Sequence, residues 1–155
     1  MMRKTHIALA ILGVLILLPF VKSKMIFAAM AVVATLLPDL DSRSSRLGRN
    51  PLMRPVQWIT GHRGVLHSLT FCLLVSIALA IFIPILALGF FLGYSIHLFA
   101  DSFTVMGISA FWPVKSIVSR GRIETGGRFE SILLVLTMMG ICLLGGAYLV
   151  SMFVV

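Results

Sequence analysis

The chain has 155 residues, 59% of them hydrophobic and only 12% charged, with a mean hydropathy of +1.08. Soluble domains carry about 25% charged residues, so a globule surrounded by water is excluded and an integral membrane protein is expected. Thirteen basic residues against five acidic ones give a net charge of +8, and where those basic residues fall becomes the guide to topology.

The N-terminal stretch "MMRKTHIALAILGVLILLPF" has a basic start and an apolar run, as a secretory signal does. No small-x-small cleavage site directly follows it, and it is expected to stay as a permanent helix. "PFVKSK" at 19–24 turns this first run back into a second, at about 25–37. After a polar stretch, 38–68, the next apolar run covers 69–100. That exceeds the roughly 20 residues of one span, and Pro84 divides it into a hairpin because proline interrupts the helical hydrogen-bond ladder. A second polar stretch, 101–130, precedes the last run, 131–155. Cys72 and Cys142 stand alone in separate apolar runs without CxxC spacing, and both are read as packing residues. The predicted fold class is all-α. A single domain, residues 1–155, forms a multi-pass transmembrane bundle of about five helices with a polar metal site at the cytoplasmic helix ends.

Turns at 19–24 and near 84 put the N-terminus and both polar stretches on one membrane face. That face collects eleven basic residues, including Arg3, Lys4, Arg63, Arg120, Arg122 and Arg128, and the opposite face only Lys22 and Lys24. The positive-inside rule then assigns the polar face to the cytoplasm and the C-terminus to the outside. All four histidines and all five acids lie on the same face. Its net positive charge suits anionic, phosphate-bearing membrane lipids as partners, and no nucleic acid is expected.

"LLPDLDS" at 36–42 closes the second helix, which Pro38 should stop at Leu37. In an extended "DLD", Asp39 and Asp41 point the same way. Paired carboxylates repel unless a cation or proton intervenes, and at a helix C-terminus they oppose the dipole. A metal would resolve both. "GYSIHLFADSF" at 93–103 closes the fourth helix and sets His97 and Asp101 four apart on one face. Ionisable groups at that depth are costly and usually line an interior cavity. His6 opens the first helix, and "GHRGVLHSL" at 61–69 brings His62 and His67 to the entrance of the third. Imidazole together with carboxylate suits zinc first, one ion or two, with manganese or iron as alternatives.

These pieces also resemble a family. His6, "LLPDLD" at 36–41, "SRLGR" at 45–49, "GHRGVLHSL" at 61–69, "GYSIHLFADSFTVMGISAFWP" at 93–113 and "RFE" at 128–130 occur in the order found in the YdjM-like family of membrane-bound, metal-dependent hydrolases. Ser42 stands where that family usually has a histidine, so one family ligand is absent; Leu66 replaces a threonine and Val105 a proline. The motif pattern is also distantly similar to zinc-dependent phospholipase C enzymes. The resemblance implies a hydrolase without naming its reaction.

The expected metal ligands are His6, Asp39, His67, His97 and Asp101, with Asp41 as a bridging ligand or as the base that takes a proton from water. His62 is a ligand, an outer partner or the acid for the leaving group. Arg63 is a two-point phosphate clamp or a topology charge. Ser68 fits a helix cap better than a nucleophile. Glu130 is a weaker candidate, since a carboxylate at a helix start favours the dipole in any case. Trp58, Trp112 and Tyr94 are expected as interfacial anchors. The leading function is hydrolysis of a phosphoester in a phospholipid or lipid-linked substrate. Ester or amide hydrolysis of a lipid and metal or proton transport are the alternatives.

Overall fold

The computed structural model describes residues 1–41, 65–114 and 118–154. Its described residues form five α-helices: α1 (Arg3–Leu17), α2 (Lys24–Leu36), α3 (Leu69–Phe82), α4 (Pro84–Ser102) and α5 (Arg128–Val154). There are no strands among them, only two isolated bridges, Thr104 with Ile123 and Ile108 with Ser119, in the segment that joins α4 to α5. Arg3–Phe20, Pro84–Ser102 and Arg128–Ser151 are long and apolar enough to cross a membrane; α3 is apolar but shorter.

Proline sets the two tight reversals. Pro19 lies in a 3-10 turn, Leu18–Phe20, that ends α1 and returns the chain to α2. Pro84 is the first residue of α4, where its missing N–H removes nothing from the helix. Ile83 just before it leaves helical geometry, φ −142° and ψ 69°, so the run 69–100 splits where the sequence suggests.

The tightest packing is between α2 and α4. A Cβ on Gly93 would lie 1.9 Å from the Ala31 carbonyl oxygen, and one on Gly89 would lie 2.8 Å from that of Phe27. Glycine at these two positions lets the backbones touch, as small residues do between helices in membranes. One turn further along each helix, the same contact brings Thr35 against His97. Phe27, Ala31 and Val14 form one buried cluster; Phe90, Tyr94, Leu98, Cys72, Ala34 and Ile108 form another. Tyr94 therefore belongs to the core: it is fully buried and donates its hydroxyl to the Leu66 carbonyl, instead of anchoring at an interface. Cys142 is exposed on α5, on a surface suited to lipid, whereas Cys72 is buried.

α2 stops before Pro38 as expected, at Leu36 with Leu37 as its C-terminal cap, and the one expectation corrected there is the extended "DLD". Leu37 keeps helical angles, φ −63° and ψ −42°, and its N–H still bonds the Ala34 carbonyl. Pro38–Asp41 then forms a 3-10 turn, with the Leu40 N–H bonded to the Leu37 carbonyl. With three residues per turn, positions 39 and 41 do not share a face as they would on a strand. The local hydrogen bond and the φ that proline presets favour the turn over the extended form.

Candidate metal centre

Four segments meet at one end of the bundle. α1 brings His6, the 3-10 turn after α2 brings Asp39, a second 3-10 turn (Val65–His67) brings His67, and α4 brings His97 and Asp101. The face of α4 repeats every four residues as Gly89, Gly93, His97, Asp101. Its small half is pressed on α2, and its polar half faces the gathered histidines.

Asp101 is the hub. Its Oδ1 lies 3.2 Å from His6 Nε2, and its Oδ2 lies 3.7 Å from His97 Nε2 and 3.8 Å from His67 Nε2. The Met1 nitrogen is 2.6 Å from Oδ1. The His6 and His97 rings stack with centroids 3.9 Å apart, and His67 meets His97 edge-on at 5.5 Å. Three ligand atoms, one each from His6, His97 and Asp101, lie within 4.8 Å of one another. Ligands held tetrahedrally at zinc distances would be about 3.3 Å apart, so small side-chain movements would close this set on an ion.

His97 is held in one tautomer. Its Nδ1 is 2.7 Å from the Thr35 carbonyl oxygen, which can only accept, so Nδ1 carries the proton and Nε2 faces Asp101 as an acceptor. The Thr35 hydroxyl in turn lies 2.9 Å from both the Ala31 and Gly93 carbonyls, tying the carbonyl that orients His97 into the helix contact. Metal-binding histidines are oriented in this way by their second nitrogen. Neither His6 ring nitrogen, nor His97 Nε2, has a hydrogen-bond partner in good geometry, although all three are buried. At Asp39 burial raises the carboxyl above its ordinary value; His6 and His67 oppose the shift and Asp101 adds to it. Asp39 thus lies within electrostatic reach of the same cluster.

The expected ligands His6, Asp39, His67, His97 and Asp101 are therefore brought together, with His6, His97 and Asp101 closest. Asp41 lies in the 3-10 turn, but its side chain is outside the described residues, as are His62 and Arg63. Ser68 caps α3, its hydroxyl accepting from the Phe71 N–H at 3.1 Å, as expected. Glu130 is no part of the cluster: its two oxygens accept from the Met2 and Gly126 N–H groups, so it clamps the start of α1 to the turn before α5. Thr35 is the residue the sequence reasoning missed. Its signal was a polar side chain four residues after Ala31 on an otherwise apolar helix.

No solved structure matches the chain. Among curated proteins, the Uncharacterized protein YvsG of Bacillus subtilis (strain 168) is 34% identical over 92 residues. The match takes in 57% of this chain, which spans 58% of the relative's length. The sequence model of the YdjM inner membrane protein family matches residues 1–155, and the chain belongs to that family.

Proposed function

We propose that the protein is a metal-dependent hydrolase that cleaves a phosphoester of a membrane phospholipid or lipid-linked substrate. The observation that carries this is the pair of buried Nε2 atoms, of His6 and His97, turned toward Asp101 at 3.2 and 3.7 Å without a hydrogen bond of good geometry. Buried polar atoms without partners are costly in an apolar bundle, and a divalent cation would offset that cost. Nitrogen and carboxylate donors fit zinc first, then manganese or iron. His6, His97 and Asp101 would hold the ion, with His67 and Asp39 completing its shell or serving a second one. Once bound, the ion supplies Lewis acidity to a phosphoryl oxygen and to water.

The chain leaves the cluster at Pro38–Asp41 and returns to it at Val65–His67, and these two turns touch. His62 and Arg63 fall between these two turns in the sequence, outside the described residues. Asp41 is assigned as the base, His62 as the acid and Arg63 as the clamp on the substrate phosphate. We place this end of the bundle in the cytoplasm and the C-terminus outside: Arg3, Lys4, Arg120, Arg122 and Arg128 lie at the site end, against Lys22 and Lys24 at the other. Transport has less support, because Lys22 and Lys24 are the only charged side chains among the described residues of the far half.

Metal content and phosphate release, measured on the same preparations with phosphatidate and a prenyl phosphate, test the proposal. Asp101→Asn and His97→Ala should lose most bound metal and at least about 100-fold in rate, since even outer partners of ligands cost about 10- to 100-fold. Metal content equal to wild type in both variants would sink it.

A further inference from the structure

A groove of about 420 Å³ runs between α1, α4 and α5, beside the metal centre. Leu9, Leu12 and Ile16 form one wall on α1, and Ile96, Phe99 and Phe103 form the other along α4 and its C-terminal cap. Both sets follow the i, i+3, i+7 spacing of a single helix face. Gly13 makes the floor narrow: a Cβ there would lie 2.6 Å from Ile96 Cδ1, so glycine lets the two helices close underneath. Ile16, Phe99 and Phe103 are exposed at the rim, and the groove opens sideways.

Its position decides its occupant. Arg3–Phe20, which contains α1, and α4 are both long and apolar enough to cross a membrane, and an opening between two such spans would face hydrocarbon. The groove's volume is that of a ligand site, which typically spans about 300–1,000 Å³, and its walls offer nothing for a polar molecule to bind. One end approaches the cluster through Met1, which lines the groove and whose nitrogen touches Asp101, although no histidine or aspartate is among the lining residues. An apolar groove between membrane-spanning helices, separated by Met1 from a carboxylate–imidazole cluster, matches a molecule with a hydrocarbon tail and an anionic head.

We propose that this groove holds a hydrocarbon chain of the phosphate-bearing lipid whose head lies at the His6–His97–Asp101 centre. The assignment of the head rests on the hydrolase proposal, but occupancy of the groove does not require turnover. The test uses the full chain in detergent micelles with a phosphatidate bearing a photoactivatable diazirine at the end of one acyl chain. A diazirine-labelled hexadecane without a headgroup is the control. Cross-links from the phosphatidate should concentrate on residues 9–16 and 96–103 and be competed by unlabelled phosphatidate. The hexadecane should label outward residues of α5, such as Leu136 and Leu143, as strongly as the groove.

Leu12→Trp should lower groove labelling about tenfold at unchanged metal content, as displacing about two methylenes of the chain predicts. Ile16→Trp, at the exposed rim, should act the same way and covers the case in which Leu12→Trp disturbs its contact with Gly140. Phosphatidate labels spread over α5 like those of hexadecane would overturn the proposal. So would a groove shielded from label by a second copy of the chain. Groove labelling by a wild type that releases no phosphate would uphold the lipid site and overturn the hydrolase instead.

Discussion

α4 and α5 are both long and apolar enough to cross a membrane, yet they serve it in opposite ways. α4 buries the repeat Gly89, Gly93, His97, Asp101 against α2 and the histidine cluster. α5 exposes Leu136, Leu143 and Leu149, and a Cβ on Gly145 or Gly146 would meet nothing within 4 Å. Length and hydropathy qualify both as spans without showing which one is buried. What separates them is a four-residue period of small and polar residues, which makes one helix a wall of the site and leaves the other to lipid.

Leucine substitutions at glycine should break this comparison most sharply. Gly93→Leu must push α4 off the Ala31 carbonyl and carry His97 away from Thr35. Overpacking typically costs about 1–3 kcal/mol, and a clash with backbone should sit at or above the top of that range. Thermal unfolding in detergent should show a large fall in midpoint together with loss of bound metal. Gly146→Leu, in open space, should stay within about 0.5 kcal/mol of wild type and keep its metal. Equal effects at the two sites would mean that the close approach of α2 and α4 does not organise the centre.

Much of this contrast was legible in the sequence. Pro84 marked the hairpin, the i, i+4 spacing of His97 and Asp101 marked a shared face, and counting turns gathered His6, Asp39 and His67 at one end. What was not legible depended on contacts between segments. The turn at Pro38–Asp41 rests on a local hydrogen bond that competes closely with the extended form. Tyr94 became core because the Leu66 carbonyl was there to accept its hydroxyl. The stacking of His6 on His97 needs the relative rotation of α1 and α4, which no spacing within one segment encodes.

Glu130, the single acidic residue in the first turn of α5, sharpens the comparison by a middling amount. It joins α5 to the polar end through backbone N–H groups of Met2 and Gly126. Gly126 has φ +82°, a left-handed conformation that glycine adopts without strain and that aims its N–H at the carboxylate. Glu130→Gln keeps the shape but replaces one acceptor oxygen with a donor. It should cost about 1.5–3 kcal/mol, the range for hydrogen bonds to a charged group, while bound metal stays near wild type. A matched loss of metal at unchanged stability would instead make Glu130 a ligand.

The smallest effect belongs to the far end of the bundle. There the Lys24 ammonium donates to the Tyr148 hydroxyl at 2.7 Å and stands 5.4 Å from the ring centroid, joining the start of α2 to the end of α5. This contact mirrors the Glu130 clamp in place, since each fastens α5 to a neighbour at one end. It differs in setting. Glu130 is buried, whereas Lys24 is exposed, so water or headgroups can replace what Tyr148 provides. Exposed cation–aromatic contacts are worth about 0.5–1 kcal/mol, and Lys24→Met should lower stability by no more than that. Metal content should not change, because neither partner touches the α2–α4 contact that orients His97. Orientation should hold as well: removing one of the two far-end lysines deepens the charge asymmetry instead of reversing it. Metal analysis and cysteine labelling of the C-terminal end from outside intact cells would check both points. A loss of metal in Lys24→Met would show that α5 transmits strain along its length, and the two ends could no longer be treated as independent.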